Sequence, residues 1–393
     1  MSESEQIPAT RFGKPAEAPE IHTLFPITYE ASRERFRNML PALKKIWPEA
    51  ELHTHPLSET KEITIDWIRS PATRTAEKML LFTTGEHGIE GYVGSAMLEH
   101  FFQHYLPVLN PETTGITLVH TIDPWGMKYW RRTNPENVDL NRNFVWNPSQ
   151  LDPSFNPGYA EIHAFIAPKG SLKFLGWEKL MFGLRYLAYL VRMGKEPFWD
   201  AKILGQYAHP MGIHYGGMQV QEEVEVVKTI YRQAFESCRR LLHLDMHTGY
   251  GPRYHMTLVN SVLEPKSSAD FVRDTNYPRV AAMNPDEFYE VLGDMIDYMY
   301  LLRDKEFPDV KLYATSFEFG TFGLHHWGRF RSLRAMVQEN QVYWYGARTN
   351  RIKNKVRREF LESFSPSSGR WRRKAVADAD QAFRGILEME GFI

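Results

Sequence analysis

His87 and Glu90 stand three positions apart in TTGEHGIEGYVGS (residues 83–95), between an apolar run and an amphipathic one. Such a pair can supply two corners of a metal site. It can equally open a helix, with Glu90 a favourable charge near the N-terminus. Spacing does not choose between the two: with 15 histidines and 48 acidic residues, about two His-x-x-acid spacings arise by chance, and His120 with Asp123 is a second.

RRLLHLDMHTG (239–249) carries a sharper pattern. Side chains alternate along a strand, so Leu242, Leu244 and Met246 share one face and His243, Asp245 and His247 the other. A buried polar face needs partners. The histidines can be satisfied core residues, but zinc would take the neutral imidazole of His247 and leave Asp245 to orient the ring. In LYATSFEFGTFG (312–323), Leu312, Ala314, Ser316 and Glu318 share a face, with space beside the acid and Phe317 and Phe319 flanking it. A partly desolvated glutamate near a metal suits a general base for water; the alternative is an edge carboxylate in solvent. YWRRTNPENVDLNRNF (129–144) gathers Arg131, Arg132, Asn141 and Arg142 among turn formers, an arrangement suited to a carboxylate or a developing oxyanion, or to solvent.

These residues need elements to hold them. EITIDWIR (62–69), KMLLFTT (78–84), GITLVHTI (115–122), RRLLHLDMHT (239–248), MTLVNS (256–261) and LYATSFEFG (312–320) have strand character. GYVGSAMLEHFFQHY (91–105), VEVVKTIYRQAFESC (224–238) and PDEFYEVLGDMIDYMYLLRD (285–304) have helical periodicity. The alternation predicts an α/β fold, a mixed, mostly parallel central sheet covered by helices on both faces. Ligands gather at the carboxyl edge of such sheets, where His87, Glu90, Asp123, His247 and Glu318 all fall.

Residues 1–30 read as an N-terminal arm and 31–393 as a single domain, interrupted at about 147–218 by an insertion rich in Pro, Gly and aromatics. Within the insertion, LKFLGWEKLMFGLRYLAYLVRMGK (172–195) sets Glu178, Arg185 and Arg192 opposite Leu180, Leu184, Leu187 and Val191. The pattern predicts an amphipathic helix packed on its own domain, or one lying at a membrane interface. Its charges exclude a membrane span. GQYAHPMGIHYGG (205–217) offers His209, His214 and Tyr215 to a cleft, or is a structured loop.

With 47 Lys+Arg against 48 Asp+Glu, no global field draws the chain to nucleic acid or lipid. The 43% hydrophobic content supports a sizeable core. Cys238 is alone and the first twenty residues lack the apolar stretch of a signal peptide, so a cytoplasmic setting is expected. His53-Thr-His55 hints at an amidohydrolase barrel, but no eightfold strand-helix rhythm follows. Serine-hydrolase and P-loop motifs are absent.

Taken together, His87-x-x-Glu90, Trp130-Arg131, VDLNRNF (138–144), His247 and FEFGTFG (317–323) occur in the order found in the zinc carboxypeptidase superfamily, over residues 79 to 325. GEHGIEGYVGSAM, GQYAHPMGIHYGG and DMHTGYG resemble a little-characterised bacterial branch of it, and DMHTG is also similar to the aspartoacylase/succinylglutamate desuccinylase branch. The resemblance implies a zinc carboxypeptidase-like sheet and one zinc ion on His87, Glu90 and His247, with Asp139 orienting His87. It implies Glu318 as general base for zinc-activated water, Arg131 on the oxyanion, and Asn141 with Arg142 on a substrate carboxylate. The implied activity is cleavage of an amide bond next to a free carboxylate, in a peptide or an N-acyl amino acid. The family's mobile tyrosine has three candidates, Tyr250, Tyr254 and Tyr277. A rival of another class is a non-catalytic binding protein on this fold, for which ten Lys+Arg against two Glu between Arg348 and Lys374 would form a docking surface.

Overall fold

The computed structural model describes residues 21–58, 60–282 and 292–393. Its centre is an eight-stranded sheet built from β1 (Glu51–Leu57), β2 (Thr60–Ser70), β3 (Lys78–Thr84), β4 (Thr114–Val119), β5 (Arg240–Gly249), β6 (Met256–Asn260), β7 (Val280–Ala282) and β8 (Lys311–Gly320), in the order β1-β2-β4-β3-β5-β8-β6-β7. The pairs β3–β4, β3–β5, β5–β8 and β6–β7 are parallel; β1–β2, β2–β4 and β6–β8 are antiparallel. The central strands are buried on both faces; β3 reads as a mostly apolar run, while β5 and β8 alternate apolar residues with the buried polar ones that need partners.

On one face Leu80, Phe82, Leu242, Leu244, Met246, Phe317 and Phe319 pack under helices Gly91–His104 and Gly369–Met389. On the other, Met79, Leu81, Leu241, Leu312 and Ala314 pack under helices Glu222–Phe235 and Met295–Glu306. The expected mixed sheet, covered on both sides, is present. Its parallel register sets His247 beside Glu318 and Thr83 beside Asp245, so the carboxyl ends of β3, β5 and β8 converge.

Three expectations need correction. Residues 21–30 do not form an arm: Leu24, Phe25 and Tyr29 are buried, and helix Ile21–Leu24 contacts the C-terminal helix. Residues 1–20 lie outside the described residues. The helix expected over 285–304 begins at Met295, where Asp294 accepts the amides of Ile296 and Asp297 at 2.8 and 3.0 Å. Gly293, at φ +76°, turns the chain just before it. Residues 285–291 fall outside the described set.

The third concerns the insertion, which is helical (Pro157–Ile166, Leu175–Met193, Lys195–Ile203) and has a core of its own. That core docks on Phe330, Leu333 and Val337 of helix His326–Tyr345. The amphipathic helix is there, but Leu180, Leu184, Leu187 and Val191 face outward, between 54% and 80% exposed. A second stripe, Phe182, Tyr186 and Tyr189, takes the inner face because its rings fill the space against Phe165, Phe198 and Phe330. Among the described residues no helix is long and apolar enough to cross a membrane.

Candidate metal centre and the cavity above it

The chain leaves β3 at Thr84, passes His87 in extended conformation and turns through Gly88–Glu90 into helix Gly91–His104. A Cβ on Gly88 would stand 2.1 Å from the Met127 amide nitrogen, so only glycine lets this loop lie on helix Pro124–Tyr129. The turn brings His87 Nδ1 to 2.9 Å from Glu90 Oε1, and β5 brings His247 Nδ1 to 3.4 Å from Glu90 Oε2. The opposite nitrogens meet carboxylates: His87 Nε2 lies 3.0 Å from Asp139, and His247 Nε2 lies against Asp245 and 3.3 Å from Glu86.

This arrangement fits a cation. A carboxylate behind each ring holds the Nε2 proton and turns the Nδ1 lone pair forward. Both lone pairs then point towards Glu90, and His87 Nδ1, close as it is, makes no hydrogen bond. Acceptors converging on acceptors repel unless a positive charge lies among them. Burial opposes a charge on His247, yet Asp245 and Glu90 outweigh it and raise the imidazole well above its ordinary pKa. Burial likewise opposes ionisation of Glu90, but the two histidines lower it to about 2.

Asp139 is fully buried, and against that burial Arg132, Arg142 and His87 hold it well below the usual carboxylate range. It also accepts from His214 Nδ1 at 3.0 Å and pairs with Arg132. Glu318 accepts the Tyr250 amide on Oε1 at 2.9 Å, and burial together with the charge of Glu90 pushes its carboxyl up to about 8. His87, Glu90, His247 and Glu318 line one cavity of about 120 Å³. Its remaining wall includes Arg132, Asn141, Arg142 and Tyr250, with Trp199, Lys202 and His214 from the insertion.

Three of the expected site residues stand apart from that wall: Asp139 behind His87, Arg131 and Asp245. Arg131 donates to Glu339 and Asn137, both at 2.6 Å, and stacks 3.9 Å from the Tyr343 ring, so its guanidinium is committed elsewhere. Its neighbour Arg132 takes the place at the cavity. Asp245 lies behind His247 rather than in the wall, accepting from Thr83 at 2.5 Å.

Of the three tyrosines only Tyr250 lines the cavity; Tyr277 is buried on the Met256 carbonyl. Of the loop residues His214 arrives, while His209 stacks on His163. The second His-x-x-acid spacing is structural, His120 bonding Ser32 at 2.7 Å and Asp123 capping a helix.

Sequence reasoning missed Glu86. It is fully buried, neither of its oxygens has a hydrogen-bond partner, and one of them groups with a nitrogen of each of the two histidines within 4.8 Å. Glu86 meets His247 at Nε2, the side already held by Asp245, whereas Glu90 meets both Nδ1 atoms. The geometry therefore favours Glu90 as the acid that shares a cation with the histidines. No spacing rule marks Glu86.

Residues 25–378 match the family described as Protein of unknown function (DUF2817), and the chain belongs to that family. No curated protein matches its sequence. Among solved structures, the chain is similar to bovine thrombin-activatable fibrinolysis inhibitor in complex with tick carboxypeptidase inhibitor, at 14% identity, 85% of this chain, 98% of that one and a TM-score of 0.46. It is similar to carboxypeptidase A from Helicoverpa armigera (12%, 84% and 73%, 0.44) and to succinylglutamate desuccinylase from Chromobacterium violaceum (13%, 73% and 68%, 0.35).

Proposed function

We propose that the protein is a zinc-dependent hydrolase that cleaves an amide bond next to a free carboxylate. The observation that carries this reading is the pair of carboxylate-backed imidazoles presenting Nδ1 to the two oxygens of Glu90, beside a buried Glu318. His87, Glu90 and His247 would hold one zinc ion. When bound, it supplies a Lewis acid that brings the pKa of water towards ~7.

Glu318 receives the proton of the attacking water, for which the Tyr250 amide on Oε1 holds the carboxylate in place. Asn141 and Arg142 bind the substrate carboxylate. Asn141 accepts the Met295 amide at 3.0 Å through Oδ1, which leaves its NH2 group as the donor, one that also meets the Asp294 carboxylate. The role on the developing oxyanion passes from Arg131 to Arg132, because only Arg132 lines the cavity.

A deacylase of N-acyl amino acids is the second reading, favoured by the insertion, whose Trp199, Lys202 and His214 wall the cavity as a closed pocket for a small substrate would require. Against a non-catalytic binding protein stands Glu318, whose burial beside Glu90 is costly and serves no binding purpose. The test is a set of short peptides and N-acyl amino acids with free and blocked carboxyl ends, assayed alongside metal content. Zinc near one equivalent with cleavage only of free-carboxylate substrates is expected; cleavage of internal bonds in blocked peptides would refute the reading.

A further inference from the structure

Three cations reach the cavity without an acid of their own. Arg142 donates Nη1 to the Asn141 carbonyl and Nη2 to the Ile203 carbonyl, each at 2.8 Å, and its buried Nε has no partner. Arg329, in the first turn of helix His326–Tyr345, also has a buried Nε without a partner. Lys202, from the insertion helix Lys195–Ile203, makes a 5.6 Å approach to the Trp199 ring. Among the described residues none of the three forms an ion pair, whereas Arg131 and Arg132 each have one.

The acids that line the cavity are already engaged. Glu90 lies between the histidines, Asp294 caps a helix, and Glu318 takes the Tyr250 amide. Burial and the positive charges of Arg132 and Arg142 depress the Lys202 amine to about 7, so this wall is short of negative charge. One substrate carboxylate would answer Arg142. Lys202 and Arg329, both half-buried, would still lack a partner, and a cation taken partly out of water is costly without one.

We infer that the terminal residue of the substrate carries a second carboxylate, that of an Asp- or Glu-type side chain, held by Lys202 and Arg329. This rests on the hydrolase reading for the chemistry, but the binding of the anion stands apart from it. A neutral isostere such as glutamine fills the same volume without satisfying the two charges, so it should bind at least about tenfold more weakly. Because Lys202 belongs to the insertion and Arg329 to helix His326–Tyr345, the specificity is a property of those two segments and not of the strand-end centre.

The experiment is calorimetric binding of glutamate and glutamine, reaction products that cannot be turned over, to the zinc-loaded full chain. Glutamate should bind at least tenfold more tightly. In Lys202→Met and Arg329→Met the preference should collapse towards unity, while Lys202→Arg, which keeps the charge, should retain it. The ratio of kcat/KM for substrates ending in Glu and in Gln should fall in parallel. Equal binding by the wild type, or a preference that survives both Met variants, overturns the inference. Selective glutamate binding without hydrolysis of any tested amide overturns the hydrolase reading and leaves the anion site standing. Hydrolysis without preference does the reverse.

Discussion

Replacing Arg131 by Met should destabilise the protein without disabling the folded fraction. The side chains of Arg131 and Glu339 are only 4% and 9% exposed, and their contact is 2.6 Å. Removing one partner of such a pair leaves an uncompensated buried charge, at a cost of ~3–5 kcal/mol. Loss of the guanidinium over Tyr343 adds ~0.5–2 kcal/mol. Asn137 and Thr133 also lose a donor. Urea unfolding followed by tryptophan fluorescence would show a lower midpoint. The double variant with Glu339→Gln should recover part of the loss, because no bare charge remains. Arg132→Met should instead lower kcat by ~10²–10³, about 2.7–4 kcal/mol of transition-state stabilisation. An Arg131→Met protein with wild-type stability and no turnover would refute this division of labour and return the oxyanion role to Arg131.

His87→Ala and His247→Ala should each lose zinc by elemental analysis while circular dichroism stays native-like, since an eight-stranded sheet does not need the metal to form. Glu318→Gln should keep zinc and lose orders of magnitude in turnover, the amide being unable to accept a proton. With the metal chelated, the native Glu318 carboxyl titrates at about 8 against an ordinary 4.5, so the native state binds the extra proton between those values. Stability should therefore fall as pH rises from about 4.5 to about 8, and melting scans of Glu318→Gln should lack that component. Arg142→Met should raise KM more than it lowers kcat, because a carboxylate grip exists in the ground state as well as in the transition state.

The central strands, with His247 and Glu318 on two of them, were legible because period-two alternation marks both a strand and the side of it that faces a site, whereas His87 and Glu90 follow β3 in a turn and were assigned to a metal only by the family resemblance. His247 and Glu318 needed only the parallel register of β5 with β8 to become neighbours. Arg131 and Arg132 were not separable in this way. They sit in a loop without a period, and Glu339, 208 positions along the chain, decides which of them is drawn away from the cavity. Helix Leu175–Met193 was legible but its inner face was not, for a related reason: it carries two apolar stripes, and periodicity identifies a face without naming its partner. Glu86, Lys202 and Arg329 gave no local signal at all, since a lone charge acquires meaning only when distant segments close over it. On the proposed reading the strand-end residues supply the chemistry, and the cations brought in by the insertion and by helix His326–Tyr345 supply the selection. A sequence pattern therefore speaks for the first sooner than for the second, and substrate preference has to be read from the charges left unpaired once the fold has closed.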